Sequence, residues 1–255
     1  MNDEQIKYLL SLPPEEIVKW FQDKGLSFSW NWDDIIKDAH ARAFTAAKVM
    51  KLDILQELKN EVDKIFTHGI TYNTFRKELE PILKRLGWWG KVKAADVPGY
   101  NPESGVDPEK IVQLGSPKRL ETIFQTNSNV AYNAGRYKFQ MQNAASRPYW
   151  MYMQLERKHK RKAHAFYANK VFMWDDPIWD KIYPPNGFNC GCYVIALSKE
   201  EFESRGLKLS QGSDVRVDVA EGWDYNPGKS YYNPPADGYD KNLYAKFIEA
   251  TDGTL

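Results

Sequence analysis

The chain has 255 residues, of which 42% are hydrophobic and 27% are charged, so it is long enough to bury one large core or two modest ones. Its 35 basic and 34 acidic residues leave a net charge of +1, which excludes attraction of the whole molecule to nucleic acid or to an anionic membrane. No apolar run approaches the roughly 20 residues of a membrane span, and no basic segment leads into a signal-like core, so we expect a soluble protein that stays in the cytosol.

The first 86 residues are predicted to form a helical N-terminal region. A helix begins at Pro13-Pro14, where proline and the acids that follow suit a first turn. Apolar residues then recur at spacings of three and four over residues 33–67, which predicts one long amphipathic helix. Thr71 is expected to cap a shorter helix that Gly87 terminates.

The next segment, residues 87–115, is rich in glycine and proline and has little periodicity, so we predict a loop or linker. Ser116 and Pro117 then mark the start of a long helix over residues 116–146, with serine as the N-cap and proline in the first turn. Asn127 interrupts the apolar stripe of this helix, and we expect its side chain to bond a neighbouring helix.

Beyond the long helix the pattern changes to short strands and turns. Residues 149–155 and 192–197 have the content and length of strands, and residues 198–205 carry the capping-box pattern of a short helix. We assign residues 147–210 to a smaller α+β module and residues 211–255 to an irregular tail with a short terminal helix. The predicted fold class is therefore α+β, with a largely helical N-terminal part and a smaller α+β C-terminal module.

A basic run occupies residues 157–162, where five of six side chains carry a positive charge. Such a run binds phosphates with salt-dependent affinity. A solvated loop is the commoner explanation for a single run in a neutral protein. The residues that would contact DNA are Arg157, Lys158, Lys160, Arg161 and Lys162.

The two cysteines, Cys190 and Cys192, occupy alternate positions, which places both thiols on one side of an extended segment. With His159 or His164 they would form a zinc-like set. A structural zinc site usually has CxxC spacing and four ligands, however, and burial in the core is the commoner fate of a free cysteine. The sequence therefore favours no metal and no cofactor, and His164 remains a candidate general base, ligand or structural hydrogen-bonding residue.

Two turn signals lie between the basic run and the cysteines. Asp175 and Asp176 would suit acid–base or metal chemistry as paired carboxylates, but the proline and tryptophan beside them favour a fixed turn in which aspartate bonds its own backbone. Pro184-Pro185-Asn186-Gly187 predicts a second turn, with Asn186 and Gly187 suited to positive backbone angles. The sequence has no nucleophile-elbow, phosphate-loop, HExxH or dinucleotide-binding motif, so nothing in it requires catalysis.

Segments in a fixed order along almost the whole chain resemble the phage Mu F-like minor head protein family, also called the phage head morphogenesis family. The central likeness runs from His164 through Asp175-Asp176-Pro177 to Asn186-Gly187-Phe188-Asn189-Cys190-Gly191-Cys192. Outside that core, similar segments include residues 41–44, 87–90, 131–137 and 222–228. The motif core that the resemblance implies consists of Arg161, His164, Asp175, Asp176, Asn186, Cys190 and Cys192.

The resemblance implies a structural, non-enzymatic minor head protein of a tailed phage or prophage. Such a protein associates with the portal on the inside of the head and acts in head assembly, in some relatives also in DNA ejection. The implied partners are the portal protein, capsid or scaffold proteins and, facing the basic run, packaged DNA. No membrane, small-molecule substrate or cofactor follows from it. The implied location is the virion, at the head interior or portal vertex, and the host cytoplasm during assembly.

Three features depart from the family pattern. Gly191 stands where arginine is usual between the cysteines, and Asn169 stands where glycine is usual before Lys170. The segment from Glu156 to the histidine, RKHKRKAH, is one residue longer than usual. All three lie in the polar centre of the motif, so they affect a site there more than the assignment of the whole chain.

Two other classes of function stay open. An enzyme or toxin-like module acting on nucleotides or nucleic acid would need Arg161, His164 and the Asp175-Asp176 pair to converge in one pocket. A DNA-binding module would use the basic run, and its affinity would fall steeply with salt.

Overall fold

A computed structural model describes residues 14–30, 43–155 and 161–232, and it divides the chain into two compact units with the boundary between residues 131 and 132. Several predictions fall outside these residues: the first part of the helix predicted over residues 33–67, most of the basic run and the terminal helix. None of the helices in the described part of the chain is both long and apolar enough to cross a membrane.

The first unit begins with helix α1, Pro14–Gln22, which starts at the predicted proline. Two short strands, β1 (Gly25–Leu26) and β2 (Ala43–Phe44), pair in parallel. Helices α2 (Leu52–Thr67) and α3 (Tyr72–Arg85) follow, and α2 packs against both α1 and α3. The stripe that α2 buries has helical spacing and consists of Ile54, Leu55, Leu58, Val62 and Ile65.

The prediction of a single helix over residues 33–67 is wrong in its middle part. Phe44 lies in strand β2, where its fully buried ring packs edge-on against Phe21 with 5.8 Å between ring centroids. Lys48 has a φ of 61°, a left-handed conformation that a right-handed helix does not accommodate. Over residues 43–50 the apolar spacing therefore reflects burial of a strand and a turn.

The local signals around α3 are confirmed. The Thr71 hydroxyl accepts a hydrogen bond from the Thr74 amide at 3.3 Å, and Gly87, with a φ of 77°, follows the end of the helix. Pro81 lies within the helix.

The segment over residues 87–115 is more ordered than the predicted loop. It contains strands β3 (Lys91–Lys93) and β4 (Ile111–Gln113), which pair antiparallel with Val92 opposite Val112. Strands of three residues are too short to show an alternating pattern, which explains why the sequence did not predict them.

Helix α4 spans Pro117–Gln142, and the boundary between the units falls within it. Its predicted start is confirmed, because the Ser116 hydroxyl accepts a hydrogen bond from the Arg119 amide at 3.2 Å. The bond expected between Asn127 and another helix is wrong. Its side-chain nitrogen donates to the carbonyl of Ile123 in the same helix at 2.9 Å, so the amide has a hydrogen-bond partner within its own helix.

The second unit contains a three-stranded antiparallel sheet with the order β6-β5-β7. The strands are β5 (Tyr149–Met153), β6 (Val171–Met173) and β7 (Tyr193–Leu197), so β5 is central. Alternate residues of β5 face opposite sides. Trp150 lies in the larger aromatic core, and Met151 lies in a second apolar cluster on the other face.

Four short helices connect or flank these strands: α5 (Lys162–Ala165), α6 (Trp179–Ile182), α7 (Lys199–Ser204) and α8 (Pro227–Tyr232). The capping box predicted for α7 is confirmed, with Ser198 and Glu201 bonded to each other's backbone amides. Helices and antiparallel sheets together confirm the α+β fold class.

The tail is packed at least as far as residue 230, although much of its backbone is irregular. Val215, Val217 and Val219 lie against the aromatic core, and Trp223 and Tyr225 are buried. Helix α8 was not predicted. The described part of the tail therefore belongs to the second unit.

Candidate functional site

A buried group of three side chains, His164, Cys190 and Cys192, forms the chemically most distinctive site in the described residues. The Nδ1 atom of His164 lies 3.5 Å from the sulfur of Cys190 and 3.6 Å from the sulfur of Cys192. The three donor atoms all lie within 4.8 Å of one another. We call this group the cysteine–histidine centre. It contains one of the two predicted histidines; His159 lies outside the described residues.

Local geometry brings the two thiols to the centre. The Cys190 amide donates to the Gly187 carbonyl at 3.1 Å, and Asn189 adopts a φ of 57°, so a tight turn precedes the cysteines. Cys190 and Cys192 then occupy alternate positions, and both enter the aromatic core, as the CxC spacing predicted. His164 arrives from helix α5 and is likewise buried.

The pKa values of the two thiols are shifted in opposite directions. Burial alone would raise the pKa of Cys190, but hydrogen bonds from Cys192 and His164 and from the Asn186 amide lower it well below its ordinary value. The pKa of Cys192 is raised, first by its hydrogen bond with Cys190 and then by burial. The pair therefore favours one thiolate, on Cys190, next to one protonated thiol.

A hydrogen-bonded layer surrounds the centre. The hydroxyl of Tyr152 donates to the side-chain oxygen of Asn186 at 2.7 Å and also contacts Cys192. The backbone amide of Leu155 bonds the sulfur of Cys192. Burial raises the pKa of Tyr152 well above its ordinary value, so this hydroxyl is a neutral hydrogen-bonding group. The side-chain nitrogen of Asn186 is buried without a hydrogen-bond partner in the described structure.

Arg161 braces the turn that precedes the cysteines. Its Nη2 atom donates to the carbonyl of Phe188 at 2.5 Å, and its guanidinium lies where a side chain on Gly187 would sit. Gly187 has a φ of 152°, whereas the positive angle predicted at Asn186 is absent. Arg161 and Lys162 are both exposed, and the rest of the predicted DNA-contacting run lies outside the described residues.

The predicted pair of aspartates does not share one environment. Asp176 accepts the Ile178 amide on one carboxylate oxygen and the Gly212 amide on the other, each at 2.9 Å. This is the backbone-bonding turn that the sequence favoured. Asp175 is exposed. The Asp176 carboxylate thus connects the tail to the turn before α6 by a hydrogen bond. No local pattern in the sequence predicted this long-range contact.

The motif core therefore separates into three parts, one of which is the turn that carries Asp175 and Asp176. His164, Cys190 and Cys192 meet directly, and Asn186 and Arg161 shape the turn beside them. Sequence reasoning missed Tyr152, although its place in a strand two residues after a core tryptophan was a signal that its ring would face the same core. Its polar partner, far along the chain, had no such signal.

The chain was compared with known families and proteins. The family model described as Phage Mu protein F like protein matches residues 56–195. The chain belongs to the Phage Mu protein F like family. The matched residues of this Mu F-like chain include the whole cysteine–histidine centre. The resemblance drawn from the sequence is thereby confirmed.

Two relatives extend the match. Protein F of Escherichia phage Mu, which is named for capsid assembly, is 36% identical over 280 aligned residues, covering 98% of this chain and 61% of its own length. The FluMu F protein of a Mu-like prophage in Haemophilus influenzae is 36% identical over 237 residues, covering 81% of this chain and 54% of its own length. The Mu F-like chain thus spans less than two thirds of each relative. No solved structure matches it.

Proposed function

We propose that this Mu F-like chain acts in the assembly of the head of a tailed phage or prophage, as a structural protein that associates with the portal. The observation that carries the proposal is the match of 98% of the chain to a phage protein named for capsid assembly. Its partners are the portal protein together with capsid or scaffold proteins. Its location is the host cytoplasm during assembly and then the virion, at the head interior or portal vertex.

The segment over residues 87–115 is the first candidate for the portal-binding surface. Its two-stranded sheet leaves the outer edge of each strand unpaired within that sheet, and such an edge accepts a strand from a partner. Ile111 in β4 has 60% of its surface exposed, the largest fraction among the exposed large hydrophobic side chains of the described residues. An open edge beside an apolar side chain suits protein–protein contact.

Packaged DNA is the second proposed partner, and a part in DNA ejection would follow from contact with it. Lys162 is exposed, and Arg161 presents part of its guanidinium while bonding the Phe188 carbonyl. A few lysines and arginines give weak binding that becomes significant only at the DNA concentration inside a head. We therefore expect little binding to free DNA at physiological salt.

The test is co-expression with the portal protein of the same phage, followed by pull-down and negative-stain microscopy of portal rings. We expect additional density on the ring with the wild-type chain. The Ile111→Asp variant should lose at least about tenfold in affinity for the portal, since a charge replaces an apolar side chain that the complex would bury. Leu52→Asp is the matched control, because Leu52 is 56% exposed and aspartate suits the first turn of α2.

Two results would count against this role. Absence of the wild-type chain from portal rings would remove the portal association. Tight, salt-sensitive binding to free DNA, or hydrolysis of nucleotides or nucleic acid by the purified chain, would favour the alternative classes instead.

A further inference from the structure

Hydrogen bonding through His164 alone does not satisfy all three side chains of the described cysteine–histidine centre. Both sulfur atoms approach the same ring nitrogen of His164, at 3.5 and 3.6 Å. A single imidazole nitrogen carries either one proton or one lone pair, so it serves one good hydrogen bond, not two. A positive ion placed between the three atoms would engage each of them at once.

The separations match those of metal ligands. In a tetrahedral zinc site the sulfur lies about 2.3 Å and the imidazole nitrogen about 2.0–2.1 Å from the ion, which holds sulfur and nitrogen about 3.6 Å apart. The two observed distances from Nδ1, 3.5 and 3.6 Å, agree with this value. Two thiolates and an imidazole are a donor set that zinc prefers. We propose that His164, Cys190 and Cys192 bind a zinc ion.

The surroundings fit an ion of this charge. When the ion binds, Cys192 releases its proton to solvent, and the two thiolates then neutralise the divalent cation, so the buried site carries no net charge. Each sulfur accepts a hydrogen bond from a backbone amide: Cys190 from Asn186, and Cys192 from Leu155. Such hydrogen bonds orient thiolate ligands.

The fourth position on the ion falls to a water or to a further ligand, because the described residues supply three. Asn186 offers a reason to expect water. Its amide nitrogen is fully buried without a hydrogen-bond partner in the described structure, while its oxygen accepts the hydroxyl that also contacts Cys192. A water on the ion would give this polar atom a partner. The site thus contains a buried polar group that the described residues alone leave unpaired.

The test is the zinc content of the purified full chain, measured by elemental analysis after expression with zinc and purification under reducing conditions. We expect about one zinc per chain, and a decrease of at least about tenfold in Cys190→Ser, Cys192→Ser and His164→Ala. His68→Ala is the matched control, because His68 is exposed on the first unit, and it should retain its zinc. No portal or capsid protein is needed, so the result is independent of the proposed role in head assembly.

A second measurement avoids the risk that a core variant does not fold. The wild-type chain, stripped of zinc and loaded with cobalt(II), should show the thiolate-to-cobalt charge-transfer band and the intense visible bands of a tetrahedral site. Removal of zinc should lower the midpoint of thermal unfolding by about 10 °C or more.

Three results would overturn the proposal. One is a folded wild-type chain that holds no zinc above the level of a buffer blank and gives no tetrahedral cobalt spectrum. Another is a stoichiometric amount of iron or copper in place of zinc. The third is a Cys190–Cys192 disulfide in the chain isolated under reducing conditions, because oxidised sulfurs do not bind the ion.

Discussion

The two units differ in what fills their cores. In the first unit the buried face of α2 is aliphatic apart from Glu61, and rings such as Phe75 are buried in the same unit. In the second unit the core is built from tryptophan and tyrosine, and its hydroxyls are bonded inside it: Tyr183 donates to Gln140 at 2.8 Å, as Tyr152 does to Asn186. The stripe of α2 is held mainly by non-directional burial, whereas the second core also contains specific polar pairs between side chains.

This difference bears on function, because the cysteine–histidine centre lies in the second core. Side chains that hold a site must be fixed by packing and by hydrogen bonds from the layer around them. Aromatic rings with polar ends supply both. The described core of the first unit contains buried polar side chains such as Lys24 and Glu61, but none of its described residues form a cluster of candidate metal ligands.

The largest effect is expected from Trp150→Ala. Trp150 is fully buried, with its ring 5.8 Å from that of Trp179 and 6.0 Å from those of Tyr137 and Tyr183. Its removal should lower the free energy of unfolding of the second unit by about 4 kcal/mol, measured by urea denaturation and by hydrogen exchange over residues 149–197. Phe75→Ala is the counterpart in the first unit. Unchanged exchange over the sheet would show that Trp150 is not central to that core.

The first unit contains a buried lysine. Lys24 has 2% of its surface exposed, and burial together with the nearby charge of Lys59 lowers its pKa from 10.5 to about 7. Between these two values the unfolded chain binds more protons, so this group makes stability rise with pH from about 7 towards 10.5. Below pH 7 the folded chain carries the full cost of a buried ammonium.

Lys24→Met should therefore stabilise the chain by about 3 kcal/mol at pH 6, and the gain should shrink steadily towards pH 10. Thermal unfolding of both proteins across this range is the measurement. Lys51→Met, at an exposed position, should change stability by less than about 0.5 kcal/mol at every pH. A gain from Lys24→Met that is independent of pH would mean that the amine has the same pKa in the folded and unfolded chains, so that burial does not lower it.

A smaller effect tests the polar pairs of the second core. Tyr152→Phe removes the hydroxyl that donates to Asn186, and the free energy of unfolding should fall by about 1.5 kcal/mol because a buried acceptor loses its donor. In the first unit, Tyr100 donates to the Val106 carbonyl at 2.7 Å from a half-buried position. Tyr100→Phe should cost about 0.5 kcal/mol or less, since water can replace the hydroxyl. Equal losses in the two variants would contradict the contrast between the cores.

Local signals in the sequence predicted more than long-range ones. The caps at Thr71, Ser116 and Ser198 and the common orientation of Cys190 and Cys192 depend on residues a few positions apart, and the structure contains them all. Periodicity misled where a strand and turn shared the spacing of a helix.

The missed contacts join distant segments. Asp176 bonds Gly212, and Tyr152 bonds Asn186, over separations of 36 and 34 residues. The sequence shows that these side chains are polar, but it does not show which distant residue each of them bonds. The choice of His164 as the partner of both cysteines was likewise open until the fold was known, because His159 satisfied the same local pattern.

The smallest effect concerns Asn169, at a position where the family resemblance leads us to expect glycine. The Asn169 amide donates to the Tyr152 carbonyl at 2.8 Å, and the Tyr152 amide donates to the Lys170 carbonyl at 3.0 Å, so two residues oppose one. With a φ of 64° at Asn169, this is a β-bulge whose first residue is left-handed, the conformation that favours glycine and that asparagine tolerates. The bulge lies where the chain enters β6 next to Tyr152, whose hydroxyl contacts the cysteine–histidine centre.

Asn169→Ala should therefore lower the free energy of unfolding by about 1 kcal/mol, and Asn169→Gly should change it by less than about 0.5 kcal/mol. Thermal unfolding of the three proteins measures the order. If alanine is tolerated as well as glycine, the left-handed angle is not required there, and the departure from the family pattern has no conformational basis. If alanine alone is costly, asparagine is the replacement that preserves the bulge, and the sheet beside the site keeps its shape despite the change in sequence.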